Sequence, residues 1–330
     1  MITMPAIVNP YPKVLVSFVT WNHEGSIKDA VSSVLNQTYR DLRVVVFDNN
    51  STDRTKDILR KLEDVILNEH GDNIGFCGGH NHNILNFEFD YIFLANPDIN
   101  LREDYIEKAL SVFETDETIG AVCGLLLQSD DSDPLIDSAG MSILKTRRFV
   151  MNHNNEKLST VMLQSGMVAG LDGAMPAFRG STVRDVSINN AFFDPLFFSH
   201  KEDWDVSWRL LLLGWKTYFT KDAVAIHPRY FQPGDLKARF KIAPVIKYHA
   251  FKNQLLLLLN NEDGYNYRKD FFRINLRLFK SIVYCLFFEF RSLSAFPFVI
   301  RNRRDIGKQR RIIQLKRKIT PQEFRKLYLQ

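Results

Sequence analysis

Between residues 13 and 115 the chain alternates between two hydrophobic patterns. Lys13–Thr20 (KVLVSFVT) is short, apolar and β-branched, which predicts a buried strand. Trp21–Gly25 is a polar loop, and Ser26 is placed to N-cap a helix from Ile27 to about Asn36. Leu42–Phe47 predicts a second strand ending at Asp48-Asn49-Asn50, and Ser51 is placed to cap a helix from Thr52 to about Leu62. Val65–Leu67 and Tyr91–Ala95 predict two more strands, the latter ending at Asn96-Pro97-Asp98, and Glu103–Glu114 returns to helical spacing. This alternation implies a parallel α/β sheet with right-handed crossovers. Farther along, Ala121–Leu127 predicts a strand and Gln128–Ser138 a polar loop. Gly170–Ala174, which contains Asp172 and Gly173, leads into the apolar stretch Met175–Phe178. Thr217–Phe219 and Val224–Ile226 predict short strands, the second ending at His227.

His200–Trp215 (HKEDWDVSWRLLLLGW) is the most distinctive segment. A helix starting near Glu202 places Trp204, Trp208, Leu211, Leu212 and Trp215 on one face, and Gly214 suits its C-terminal cap. Glu202, Asp203 and Asp205 crowd its first turn, where acids complement the helix dipole. Capping explains two of the three; the alternative for one of them is a general base at a pocket mouth.

In parallel sheets ligands bind beyond the carboxyl ends of the strands. Three polar clusters fall there: Thr20–His23, Asp48–Asp53 and Asn96–Asp98. They read as a nucleotide site or as ordinary turn residues. Asp72–Asn83 (DNIGFCGGHNHN) reads as a loop whose Gly75, Gly78 and Gly79 permit close backbone approach to a ligand. It has neither GxGxxG spacing nor the GK[ST] of a P-loop. His80 and His82 within it are metal ligands or, as the plainer alternative, polar loop residues.

After His227 the character changes. Val245–Asn260 predicts an apolar-faced helix, and Phe271–Ile300 is rich in Phe, Leu and Ile with Arg273, Arg277, Lys280 and Arg291 interleaved. Its longest uncharged run, Ser292–Ile300, falls far short of the ~20 residues that span a bilayer. It reads as an interfacial amphipathic segment or as a helical hairpin packed on the α/β body. Residues 301–330 hold 11 Lys and Arg against 2 acids. Because the whole chain carries only +5, the first 300 residues are slightly acidic. A basic tail of this kind suits an anionic surface. The rest of the composition, 45% hydrophobic and 25% charged, is that of a globular protein. Three widely spaced cysteines argue against a disulfide or zinc framework and for a reducing compartment. The first residues, MITMPAIVNPYPKV, lack a charged segment followed by an apolar core, so no secretory signal is expected.

The ordered series Val19-Thr20-Trp21-Asn22, Asp48–Asp53, Asn73-Ile74-Gly75-Phe76 with Gly78–Asn81, Asn96-Pro97-Asp98, and Glu202-Asp203-Trp204-Asp205 with Arg209 and Gly214-Trp215 resembles family 2 glycosyltransferases. Within that family it is most similar to the bacterial rhamnosyltransferase branch. The resemblance spans roughly residues 13–260. It implies a GT-A nucleotide-sugar-binding fold, a Rossmann-like, mostly parallel sheet over residues 1–240, with a helical, basic extension over 241–330. It implies that Thr20, Asn22 and Asp48 hold the base and ribose, and that Asn49 and Ser51 shape that turn. Asn73, Gly75 and the Gly78-Gly79 loop would lie along nucleotide and sugar. Asp98 would match the last acid of the DxD metal motif, whose first acid is Asn96 here. Asp203 would match the catalytic base, and His227 a histidine that reaches metal or diphosphate. Asp172, Gly173, Glu202, Trp204 and Asp205 fall on the acceptor side.

The activity implied is inverting transfer of one sugar per acceptor from a nucleotide-sugar, dTDP-L-rhamnose in this branch, with Mg2+ or Mn2+. No QxxRW motif of processive synthases is present. The alternatives are a UDP-hexose or UDP-N-acetylhexosamine donor and, from another class, a non-catalytic scaffold that binds sugar nucleotides or glycans. The partners expected are the donor, a glycan or polyprenyl-diphosphate-linked saccharide acceptor, an anionic membrane surface and a second copy of the chain in a homo-oligomer. Nucleic acid is not expected, since no recognition module accompanies the basic tail. The expected location is cytoplasmic, peripheral on the inner face of the cell membrane.

Overall fold

The computed structural model describes residues 12–228, 239–240 and 242–330. Four strands, β1 (Val14–Thr20), β2 (Leu42–Asp48), β3 (Val65–Glu69) and β4 (Tyr91–Ala95), pair in parallel in the order β3-β2-β1-β4. Every residue of β1 is buried, as a parallel strand covered on both faces requires. Helix α1 (Ile27–Leu35) covers one face with Ile27, Ala30, Val31 and Val34. Ser26 occupies its N-cap position without a side-chain capping bond. Helix α2 (Thr55–Leu59) starts three residues later than expected, because the Ser51 hydroxyl is committed to Asp48 rather than to a helix N–H.

The glycine-rich segment is not a loop. It forms helix α3 (Gly75–Asn86), in spite of the low helix propensity of glycine. A Cβ on Gly79 would lie 2.7 Å from Val19 and 2.9 Å from Phe47, so the bare backbone lets α3 lie directly on β1 and β2.

Beyond β4 follow β5 (Asn100–Leu101), α4 (Tyr105–Thr115), β6 (Ile119–Leu127), β7 (Ile136–Ser138), the hairpin β8 (Met141–Ile143) and β9 (Phe149–Met151), and β10 (Gly166–Val168). Then come β11 (Ala177–Arg179), α5 (Gly180–Val186), α6 (Glu202–Leu212) and β12 (Lys216–Ile226). The sheet continues from β4 through β11, β6 and β12 to β10. It is mixed rather than wholly parallel, because β11 runs antiparallel between β4 and β6. The two short strands expected after Gly214 are one strand, β12, whose register shifts between Phe219 and Val224.

Among the described residues, the helices that follow the sheet include α7 (Pro244–Asn261), α8 (Gly264–Lys269), α9 (Phe271–Phe288), α10 (Ala295–Arg301), α11 (Arg303–Lys316) and α12 (Pro321–Tyr328). Among the described residues, no helix is long and apolar enough to cross a membrane. The tail is docked on the body. A capping box between Thr320 and Glu323 starts α12, and its buried Phe324 stacks on Trp208 with ring centroids 6.0 Å apart. Arg325 pairs with Asp270 at 2.6 Å, and Arg317 with Asp263 at 3.3 Å. Part of the basic charge of residues 301–330 is therefore spent on internal ion pairs.

Candidate active site

β1, β2 and β4 end on one edge of the sheet, where Thr20, Asp48 and Asn96 open three turns. Asp48 is buried, and its two carboxylate oxygens accept from the Ser51 N–H at 2.8 Å and the Ser51 hydroxyl at 2.5 Å. Asn22 takes a left-handed conformation (φ 59°). Its N–H donates to Ser51 Oγ at 2.9 Å and its Oδ1 accepts from the Thr52 N–H at 2.7 Å, which knits the first two turns together. Asn49 Oδ1 accepts from the Ile74 N–H at 3.0 Å, and Asn73 Oδ1 from the Gly75 N–H at 2.9 Å. Gly75 has φ +80°, and a Cβ there would lie 2.5 Å from the Phe198 carbonyl oxygen. Asp48, Asn49 and Ser51 are thus the internal scaffold of this edge, and the exposed Asn73 braces its rim. Its exposed side chains include Trp21, Asn22, Asn50 and Thr52.

Two expectations change here. Gly78 and Gly79 do not form a loop along a ligand: Gly79 is a packing glycine, and a Cβ on Gly78 would lie 2.8 Å from the Ile74 side chain. His80 is neither a metal ligand nor a loop residue. It is fully buried on α3, its Nδ1 lies 2.8 Å from Ser17 Oγ, and burial holds the imidazole down at about 3. His82 is also on α3, beside the Phe47 ring.

The third turn carries a carboxylate–imidazole cluster. His227 Nε2 lies 3.5 Å from Asp98 Oδ1 and 3.4 Å from Asn96 Nδ2, while its Nδ1 lies 2.8 Å from Asp137 Oδ2. Asp137 is fully buried on β7, in the segment read as a polar loop, so no periodicity marked it in the sequence. Burial pulls the His227 imidazole down. The hydrogen bonds to Asp137 and Asp98, with the charge of Asp172, overcome it and raise His227 to about 9. Burial pushes Asp98 up, but bonding to His227 and the charges of His227 and His23 hold it below the ordinary carboxylate range. His23, the last residue of the first polar cluster, sits against Thr20 Oγ1 at 3.1 Å and in the field of both Asp98 and Asp53.

Asp98 Oδ1 and His227 Nε2 form a mixed oxygen and nitrogen donor pair, with the Asn96 amide beside it. Among the described residues no group of three or more His, Cys, Asp or Glu converges on a metal position. The donor set fits a divalent cation that takes its remaining ligands from diphosphate and water.

The segment Asp172–Ala174 links this cluster to α6. The Asn96 N–H donates to the Ala174 carbonyl at 2.8 Å, and a Cβ on Gly173 would lie 3.6 Å from Asp203 Oδ2. The helix ends as expected: Gly214 (φ +80°) donates to Leu211 O and Trp215 to Leu210 O, a Schellman arrangement. The three acids of its first turn have separate fates. Asp205 is buried and locked to Arg209 at 2.8 Å and to Asn261 at 2.7 Å. Glu202 is buried, and burial followed by the charge of Asp203 raises its carboxyl to about 8. Asp203 is partly exposed, accepts the Trp204 N–H at 2.9 Å, and lines a small pocket with Phe76, Leu94, Gly173 and Pro176. Glu202 and Asp205 are therefore buried rather than set on an acceptor surface, and the partly exposed Trp204 stacks on Phe149 at 5.2 Å.

Phe198, His200 and Lys201, just before α6, all have left-handed φ (66°, 70° and 63°), a conformation costly for side chains of this size. The polar face of α7 holds them. Asn253 Nδ2 donates to the carbonyls of Phe197, Ser199 and His200, and Lys252 donates to those of Leu196 and Phe197. Burial, with Arg277 nearby, brings the Lys201 ammonium down to about 7, and it donates to Ala250 O and Gln254 Oε1. Helix α7 buries Phe251 and Leu255–Leu257, as an apolar-faced helix should, and its polar side chains also brace the loop that aims Asp203. Of the segment that follows His227, Pro228–Asp235, only Pro228 is among the described residues.

Residues 16–172 match the sequence model of glycosyl transferase family 2. An uncharacterized glycosyltransferase of Nostoc sp. is 26% identical over 158 residues, 47% of this chain and 46% of that protein. The poly-beta-1,6-N-acetyl-D-glucosamine synthase of Staphylococcus aureus is 25% identical over 201 residues, 59% of this chain and 45% of the synthase. The chain thus spans about half the length of the curated relatives it matches. Among solved structures, GalNAc-T7 with UDP, GalNAc and Mn2+ superimposes with a TM-score of 0.57 at 12% identity, over 76% of this chain and 48% of that one. The mannosyltransferase of Pyrobaculum calidifontis with GDP-Man and Mn2+ gives 0.54 at 14% identity, over 88% and 75%. At such identities the superpositions establish the fold. Residues 16–172 thus resemble the family 2 glycosyltransferases in sequence, and the chain has the GT-A fold.

Proposed function

We propose that the chain transfers a sugar from a nucleotide-sugar to an acceptor hydroxyl with inversion at the anomeric carbon. Asp203 is the general base, and Asp98 with His227 faces the leaving diphosphate. The observation that carries this reading is the division among the acids of α6. Asp205 is consumed by an ion pair and Glu202 is buried, while Asp203 is the partly exposed one, beside Gly173 of the Asp172–Ala174 segment. An acceptor hydroxyl beside Asp203 gives up its proton as its oxygen bonds the anomeric carbon. The sugar–phosphate bond breaks on the opposite side, and a nucleoside diphosphate leaves without needing a proton, so one base suffices. When bound, a divalent cation neutralises the charge that develops on that diphosphate. The chain's part there is to present Asp98 Oδ1 and His227 Nε2 together, with Asp137 fixing the imidazole. The exposed Trp21 offers the nucleobase a flat face at the end of β1.

The donor in this reading is dTDP-L-rhamnose, supported by the Asn96-Pro97-Asp98 form of the third turn. The similarity to a poly-beta-1,6-N-acetyl-D-glucosamine synthase favours UDP-N-acetylhexosamine as the second reading. The acceptor is a glycan or polyprenyl-diphosphate-linked saccharide of bacterial cell-surface polysaccharide synthesis, which puts the protein at the inner face of the cell membrane. Nucleoside diphosphate release across a panel of nucleotide-sugars tests the whole reading. One sugar should dominate, and release from none of them would leave a non-catalytic sugar-nucleotide binder.

The cluster at the third turn makes a separate prediction. Asp98→Ala should weaken donor binding and turnover together, and EDTA should inhibit the native protein. Because His227 holds its proton up to about 9, well above its ordinary 6.5, a cation must displace that proton. Mn2+ affinity, measured by calorimetry, should therefore rise with pH from 6.5 to about 9 and then level off, and His227→Asn should flatten the rise. Full activity in EDTA, or Mn2+ binding that ignores pH, contradicts this assignment.

A further inference from the structure

Helix α9 has eighteen residues and buries only Ile274 and Cys285. Phe272, Leu276, Phe279 and Phe287 follow i, i+4, i+7 and i+15, which puts them on one face, and they are strongly exposed (85% for Phe272, 77% for Phe287). Phe290, just past the helix, and Ile300, at the end of α10, are exposed as well. Soluble proteins rarely leave so many large apolar side chains together in water. An apolar groove of about 470 Å³ lies behind this face, lined by Leu255, Leu259, Ile274, Leu278, Phe296 and Val299, with Arg310 at its edge.

The exposed charges of α9 and α10 have one sign, while Glu262 and Asp263 line the groove behind them. Between residues 271 and 304 the sole acid is Glu289, which is buried and bonded to Arg239 at 2.7 Å. Lys280, Arg291, Arg301 and Arg304 are exposed in the same stretch. Two copies of this chain docked face to face would bring these cations together, which disfavours a symmetric dimer. Anionic headgroups complement them, and shallow burial of the phenylalanines adds to that attraction.

We propose that the Phe272–Phe287 face of α9, with Phe290, Ile300 and the cationic rim of Lys280, Arg291 and Arg301, docks on an anionic phospholipid bilayer. This gives a surface to the membrane location in the proposed function, and it rests on that reading only for the identity of the acceptor. The face is also coupled to the site. Arg277 of α9 donates to Gln254 Oε1 at 2.7 Å, and the same oxygen accepts from Lys201, the N-cap residue of α6. A docked α9 therefore places the Asp203 side of the site near the headgroups, where a lipid-linked acceptor presents its sugar.

Full-length protein should cosediment with vesicles of 30% phosphatidylglycerol in phosphatidylcholine at low salt. Binding should fall at least tenfold in 0.5 M NaCl, or with pure phosphatidylcholine. The Phe272→Ser/Phe279→Ser/Phe287→Ser variant alters exposed positions only, so it should keep the native circular dichroism and nucleoside diphosphate release while losing at least tenfold in vesicle binding. Lys280→Glu/Arg291→Glu/Arg301→Glu should lose the preference for anionic vesicles. The proposal is overturned if the full-length protein stays in the supernatant at low salt, or if the serine variant binds vesicles like wild type. It is also overturned if light scattering shows a dimer that the serine variant dissolves, or if RNA binds and the vesicles do not. Vesicle binding reads the surface and diphosphate release reads the transfer, so a failure of one is distinct from a failure of the other.

Discussion

Asp203→Asn should lower turnover by about 10²–10⁴ with donor affinity little changed. The amide has the shape of the carboxylate and can still accept the Trp204 N–H, so the first turn of α6 should stay formed. What is lost is the ability to take the acceptor proton. The control is Glu202→Gln. Glu202 is held protonated up to about 8, so at neutral pH a neutral amide replaces a neutral acid, and turnover should stay near wild type. The same residue sets a pH signature. Its folded-state value lies above the ordinary 4.5, so the folded protein keeps a proton that the unfolded chain releases. Stability contributed by this group is full below 4.5 and is lost as pH rises toward 8, and Glu202→Gln should flatten that part of the stability profile. Turnover and donor affinity come from diphosphate release and calorimetry, and the profile from urea unfolding at several pH values. An active Asp203→Asn beside a dead Glu202→Gln would mean that the base is the other acid.

What could be read from the sequence divides by the range of the forces involved. β1, β2 and β4 were legible because a parallel strand buried on both faces is apolar throughout, and that is a local property. The end of α6 was legible for the same reason, since Gly214 acts within one turn of chain. α3 was misread because glycine signals a loop locally, whereas Gly79 answers to Val19 and Phe47 on the sheet beneath. Asp137 was invisible: its role depends on His227, ninety residues away in the chain. α7 was read in part: its buried leucines showed, but the task of Lys252 and Asn253 depends on where the carbonyls of residues 196–200 point. The three acids of α6 were all visible, and burial is what distinguishes them.

Arg147 is the position where a single change should cost most in stability. Its side chain is fully buried at the turn between β8 and β9, in a left-handed conformation (φ 62°). The guanidinium donates to Glu262 at the end of α7, to Asp270 at 2.9 Å and to the Lys145 carbonyl at 2.6 Å, while Arg325 of α12 also reaches Asp270. One cation thus ties the hairpin, α7, the start of α9 and the C-terminal helix together. Arg147→Ala leaves Glu262 buried without its counter-charge, and breaking a buried pair in this way costs about 3–5 kcal/mol. Burial pushes Asp270 up, but Arg325 and Arg147 bring it down to about 2, so its contribution is present above 3.8 and lost as pH falls through 2. Without Arg147 that loss should begin at higher pH, and acid unfolding should move with it. The double variant Arg147→Met/Glu262→Gln removes both partners and should recover part of the loss, which separates an uncompensated charge from a mere cavity. Urea midpoints of the three proteins at pH 7 give the comparison, and a single variant as stable as wild type would show that the network carries no such weight. The loop that aims Asp203 gives the second readout. Asn261, which precedes Glu262, holds Asp205 at 2.7 Å, so strain at Glu262 reaches the first turn of α6. Arg147→Ala should accordingly lose turnover at temperatures where it is still folded, and the double variant should regain it.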